Sequence, residues 1–209
     1  MKIIALSLLT AIFALACEAE TRPASTWYSV DVHLNTKMAI ETTLVLDGEK
    51  IATMIFSKIH VRLSWRANHR KQGNSRAVAC AYNSSICDIA VEIVAKAPPT
   101  VNGAALAVAM PYAGSGVRIL IFFDRVTPLL YGHRAAQANI LGYVLAHEIA
   151  HVLQGTPRHA KTGIMQARWS GNDFRQMRAG VLTFSPEDVE LIRRRLDASV
   201  PENLDPQSD

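Results

Sequence analysis

The stretch Ala135 to Gln154 contains no proline and carries Ile140, Leu141, Val144, Leu145 and Ile149 at the spacing of one helical face. A long, buried helix is expected there. Gly155 and then Thr156-Pro157 end it, because glycine takes a left-handed cap and proline cannot extend the hydrogen-bond ladder. Few sequences put charge and imidazole inside such a helix, yet this one has HEIAH at residues 147–151. A solvated helix would not surround two histidines with Val144, Leu145, Ile149, Val152 and Leu153. The two histidines and Glu148 therefore need a chemical reason.

His147 and His151 are one helical turn apart on the same face, about 6 Å along the axis, which suits two imidazoles meeting one zinc ion. Glu148 then reaches the open coordination position, where a water has its pKa lowered toward about 7. It can take that proton as the water attacks a carbonyl and pass it to a leaving amine. A zinc site needs a third protein ligand, and His159 is the expected one. The four residues after Gly155 span about 13 Å when extended, while the helix has advanced only about 6 Å past His151. The alternative is a glutamate from a later helix, Glu187 or Glu190, although an acid in a first helical turn is common for dipole reasons alone.

Elsewhere the chain reads as strands followed by helices. Trp27 to Leu34, Val61 to Trp65, Ile86 to Val94, Ala104 to Met110 and Val117 to Phe123 are the expected strands. Val45 to Ile59 has Ile51, Ile55 and Ile59 on one helical face, with Asp47 as a candidate cap. Ser185 as N-cap and Pro186 at the first helical position open a last helix, DVELIRRRL. His33, His60, His69 and His133 are isolated and read as ordinary core or surface histidines, and Trp169 reads as packing.

The run from His147 to His159, HEIAHVLQGTPRH, followed by Gly163-Ile164-Met165, resembles the metzincin zinc peptidases. Their pattern is HExxHxxGxxH and then a methionine-bearing turn. The resemblance implies His147, His151 and His159 as Zn2+ ligands, Glu148 as general base, Gly155 as the helix-ending glycine and Met165 as the Met-turn residue. Here the glycine and third histidine each come later, as HExxHxxxGxxxH, so Gln154 and Pro157 occupy the family's positions. One added helical residue turns the exit by about 100°. The extended spacing, with TGIMQARWS behind it, is also similar to a group of small bacterial metzincin-like proteins. The implied fold is α+β: a mixed sheet of about five strands, a first helix, an active-site helix and a C-terminal helix. In such folds the strand before the last borders the cleft and takes extended substrate by strand addition, which implicates Ala107, Ala109 and Met110. No tyrosine follows Met165 to assist an oxyanion.

Residues 1–16 read as a signal peptide: Lys2 is the positive start, Ile3 to Ala16 the apolar region and Ala14-Leu15-Ala16 the cleavage site. Cys17 either lies beside that site or, as in a loose lipobox, is lipidated and tethers the protein to a membrane. Residues 17–26 form a polar tether, and 27–209 a single domain of ordinary size. A secreted or periplasmic protein is expected, lipid-anchored in the second case. In an oxidising compartment Cys80 and Cys87, separated by AYNSSI, are expected to form a disulfide rather than a metal pair. With 49% hydrophobic and 19% charged residues the chain can fold as a globule. Its net charge of +4 is scattered, with Arg193-Arg194-Arg195 a solvated helix face, so no nucleic-acid partner is expected. The expected partner is a protein or peptide substrate, cleaved by a monomeric zinc endopeptidase. The alternative is a non-catalytic envelope or surface protein with a structural zinc site.

Overall fold

The computed structural model describes residues 27–67, 86–101, 103, 105–110, 117–130 and 132–199. The expected signal peptide and tether, Cys17, His69 and Cys80, and with Cys80 the expected disulfide, lie outside them. Five strands, β1 (Tyr28–Thr36), β2 (Val61–Ala67), β3 (Ile86–Val94), β4 (Ala107–Met110) and β5 (Arg118–Phe122), form one sheet in the order β2-β1-β3-β5-β4. Four run parallel, and β4 pairs antiparallel with β5 at the sheet edge. The helices are α1 (Thr42–Ser57), α2 (Phe123–Val126), α3 (Arg134–Gln154), α4 (Gly171–Arg178) and α5 (Pro186–Asp197). The fold class is α+β, as the sequence implied.

Strand periodicity explains how the sheet is covered. Val30 and Val32 of β1, Val61 and Leu63 of β2, Ile89, Val91 and Ile93 of β3, and Ile119 and Ile121 of β5 are buried in one core with α1 and α3. The residues between them carry charge: Arg66 pairs with Asp31 at 3.0 Å and Arg118 with Glu92 at 2.9 Å, on the opposite face. Parallel strands usually lie buried on both faces. Here the alternation of apolar and charged residues leaves one face polar, and all the large helices lie on the other.

Helix α3 is buried from Ala136 to Gln154 except for Gln137 and Asn139, so it is the central element rather than a surface helix. Its length fits the expectation to within one residue. Helix α1 differs more: it begins at Thr42, upstream of the expected start at Val45 and with Glu41 rather than Asp47 at its N-cap, because Leu44 extends the buried stripe upstream. Asp47 is inside the helix and bonds Lys50 at 2.9 Å. Strand β4 is shorter than expected at its N-terminal end, where Arg125 donates to the Ala105 oxygen at 2.7 Å and the chain is held as a loop. Helix α4 was not foreseen from the apolar pattern, since only Phe174 and Met177 are apolar in its eight residues. A capping box of Ser170 and Asp173 starts it, and the Ser185–Asp188 box starts α5 with Pro186 at its first position.

Candidate metal centre

Three imidazoles converge where α3 ends. One ligating nitrogen from each of His147, His151 and His159 lies within 4.8 Å of the others, so the group can hold a metal ion. His147 and His151 come from consecutive turns of α3 and bring their Nε2 atoms to 3.1 Å. Their other nitrogens are committed: His147 Nδ1 lies 2.8 Å from the Ile164 oxygen, and His151 Nδ1 lies 3.1 Å from the Thr156 oxygen. A carbonyl can only accept, so each Nδ1 carries the proton and each Nε2 presents a lone pair. Two lone pairs facing each other at that distance are satisfied by a shared cation.

The electrostatics agree. Burial, with His151 next in effect, pushes the His147 pKa down to about 3. Burial also lowers His151 and His159, so all three are in the neutral form that binds metals. Asp188, fully buried behind them, acts oppositely and favours positive charge at His147 and His151. Glu148 is buried beside His147, and burial raises its carboxyl to about 8.

The cleft in front of the histidines has a volume of about 950 Å³. Glu148 lines it, as do Ala107, Val108 and Ala109 of the edge strand β4. Met110 closes β4 opposite Arg118 and is not among the lining residues. Trp169, expected only to pack, forms part of the cleft wall, edge-on to His147 at 5.2 Å between centroids. Its Nε1 donates at 3.1 Å to the same Ile164 oxygen that His147 uses.

The Gly163-Ile164-Met165 turn lies behind the histidines. Gly163 has φ of +80°, and a Cβ there would sit 2.5 Å from the Thr183 oxygen. Ile164 N donates to that same oxygen at 3.0 Å. Met165 is fully buried, and its oxygen accepts from Ala160 N at 2.7 Å, one residue past His159. Of the glutamates considered as third ligand, Glu187 pairs with Arg158 and Glu190 with Arg194, and neither joins the histidine group.

No protein-family model and no curated protein matches the sequence. Among solved structures, archaemetzincin from Methanopyrus kandleri matches over 84% of this chain and 98% of its own, at 14% identity and a TM-score of 0.50. The fold is similar to that of archaemetzincin. Metalloproteinase-II from Bacteroides fragilis also matches, over 87% of this chain and 56% of its own, at 11% identity and a TM-score of 0.46.

In this fold the segment between His151 and His159 is accommodated by its cap and its loop. Gly155 takes φ of 63° and its N–H bonds the His151 and Val152 oxygens, turning the chain back sharply. Arg158 then donates to Asp188 Oδ1 at 3.0 Å and pairs with Glu187. Gln154 Nε2 approaches the same Asp188 oxygen at 3.4 Å. Asp188 was not foreseen from the sequence, where only Ser185 and Pro186 were expected to mark this helix start; the Ser185-x-x-Asp188 spacing is the signal that marks it as a capping-box partner. Nothing local to Arg158 shows that the two meet.

Proposed function

We propose that the protein is a zinc-dependent endopeptidase acting on proteins or peptides outside the cytoplasm. The observation that carries this reading is the convergence of three neutral imidazoles and a buried carboxyl group on one cleft bordered by an edge strand. The donor set fits zinc. Two nitrogens at about 2.0–2.1 Å from a tetrahedral ion stand about 3.3 Å apart, close to the 3.1 Å between His147 and His151. Three histidines with one side open to a cleft is a catalytic rather than a closed structural arrangement. Zinc bound there would supply a Lewis acid and lower the pKa of water near neutrality.

The chain's own residues do the rest. Glu148, next to the first ligand and lining the cleft, takes the proton of the attacking water and delivers it to the leaving amine nitrogen. Its raised pKa shows how strongly the site favours a neutral carboxyl there, and a cation at the histidines opposes that preference. Among the described residues β4 has β5 on one side only, so an extended peptide can pair with its other edge along Ala107 and Ala109. The carbonyls at Ile164 and Thr156 hold the ligand rings in one tautomer, so ordering them adds little to the cost of metal binding. Placement outside the cytoplasm is supported by residues 1–16, and a lipid tether by Cys17.

The deciding experiment is digestion of an unbiased peptide library by the zinc-loaded protein, with and without a chelator. Internal cleavages that vanish with the chelator are expected. Protein shown to contain stoichiometric zinc that cuts nothing would sink the peptidase reading and favour a structural zinc site.

A further inference from the structure

We propose that Arg158 is a positioning residue for the third ligand, holding His159 against the histidine pair by bridging Glu187 and Asp188 at the start of α5. The inference rests on the metal-binding reading above and deepens it. His147 and His151 are buried on α3 and each ring is oriented by a carbonyl. His159 has neither advantage. It is exposed, among the described residues neither of its ring nitrogens is hydrogen-bonded to a carbonyl or carboxylate, and its ring contacts are with the other two imidazoles. Its place is therefore set by its main chain.

That main chain is fixed on both sides. After His159, Ala160 N bonds the Met165 oxygen. Before it, the Arg158 side chain reaches out of the loop to the buried Asp188. Asp188 is a rigid anchor: it is fully buried, its Oδ2 accepts from Ser185 N at 3.1 Å and Ser185 Oγ at 2.6 Å, and its Oδ1 faces Arg158 and Gln154. One guanidinium nitrogen addresses Asp188 and the other Glu187, a use of the planar fork that a lysine ammonium does not reproduce. Gln154 and Arg158 are the last residues of the two lengthened intervals in the HExxHxxxGxxxH spacing, and both reach Asp188. The longer loop thus closes on the metal group because α5 holds it.

The test is a double-mutant cycle read by zinc affinity, measured in competition with a chromophoric chelator. Arg158→Ala is expected to weaken zinc binding by about 10–100-fold, the effect of removing a group that orients a ligand. Arg158→Lys should fall between it and wild type. In the His159→Ala background, adding Arg158→Ala should change affinity by less than about twofold, because its target is gone. Cobalt-loaded Arg158→Ala should show visible bands shifted toward those of His159→Ala, and near-UV circular dichroism of the metal-free variants checks the fold. Wild-type affinity in Arg158→Ala, or an equal loss in both backgrounds, would overturn the proposal. Should Arg158→Ala not fold, Arg158→Lys completes the same cycle with the same criteria. A wild-type chain that binds no zinc would overturn both this inference and the metal reading beneath it.

Discussion

The main-chain oxygen of Ile164 accepts hydrogen bonds from His147 Nδ1 at 2.8 Å and from Trp169 Nε1 at 3.1 Å. A single carbonyl in the turn after His159 thus orients the first imidazole of the candidate metal group and also fixes the wall of the cleft.

Replacing Trp169 separates these roles. Trp169→Phe keeps an aromatic edge toward His147 but removes the Nε1 donor, whereas Trp169→Leu removes both. A neutral hydrogen bond contributes about 0.5–1.5 kcal/mol. Zinc affinity measured by chelator competition should therefore drop by about two- to tenfold in Trp169→Phe, and further in Trp169→Leu. Unchanged affinity in both would show that Ile164 holds His147 unaided.

Glu148→Gln removes a proton acceptor while keeping size and leaving the three imidazoles in place. Loss of a general base typically costs about 10²–10⁴-fold in turnover. Hydrolysis of a peptide found in the library digest should fall by that factor, with zinc content measured by atomic absorption remaining at the wild-type level. Zinc loss in this variant would mean that Glu148 supports the site rather than the reaction.

Metal-free protein should be most stable near pH 6.5. The Glu148 carboxyl rises from its ordinary 4.5 to about 8 on folding, so the native state holds an extra proton between those values and stability is lost as pH rises through them. The His147 imidazole falls from 6.5 to about 3, so the unfolded state binds the extra proton and stability is lost as pH falls below 6.5. His151 and His159 are lowered as well and add to the acid side. Between pH 6.5 and 8 Glu148 acts against no histidine, and the decline there should reach roughly 2 kcal/mol. Urea unfolding of chelated protein from pH 4 to 9 would show this, and Glu148→Gln should flatten the alkaline decline. An alkaline decline that survives in Glu148→Gln would exclude Glu148 as its source.

Gly163→Ala places a side chain at φ of +80° and 2.5 Å from the Thr183 oxygen. The backbone conformation alone costs about 1–3 kcal/mol for a residue other than glycine, and the clash adds to it. Thermal unfolding should show a loss at or above the upper end of that range. Gly180→Ala, also at positive φ but with open space around it, should lose less. Equal losses would show that the contact with Thr183 is relieved by movement of the turn.

Much of this site was legible in the residues themselves. HEIAH within an apolar helix, the break at Gly155, and the Gly163-Ile164-Met165 turn are local patterns, and the structure brings His147, His151 and His159 together where α3 ends. The strand positions were also legible, because burial on one face leaves an alternation that a short window reveals. The start of α1 was not, since Leu44 is buried only by what packs against it. Helix α4 was missed for a related reason: its polar sequence is held by a capping box and by contact of Phe174 with Trp169, not by a long apolar stripe.

What the sequence by itself determined is therefore the helix, its two histidines and carboxylate, and the existence of a third histidine within reach. Only the tertiary structure decided how that third histidine arrives, and which residues make the cleft. Arg158 and Asp188 are 30 positions apart and Tyr143 bonds the Leu182 oxygen 39 positions away. Periodicity and spacing report on neighbours along the chain, whereas these contacts exist because burying α3 forces distant loops and α5 to close around its end.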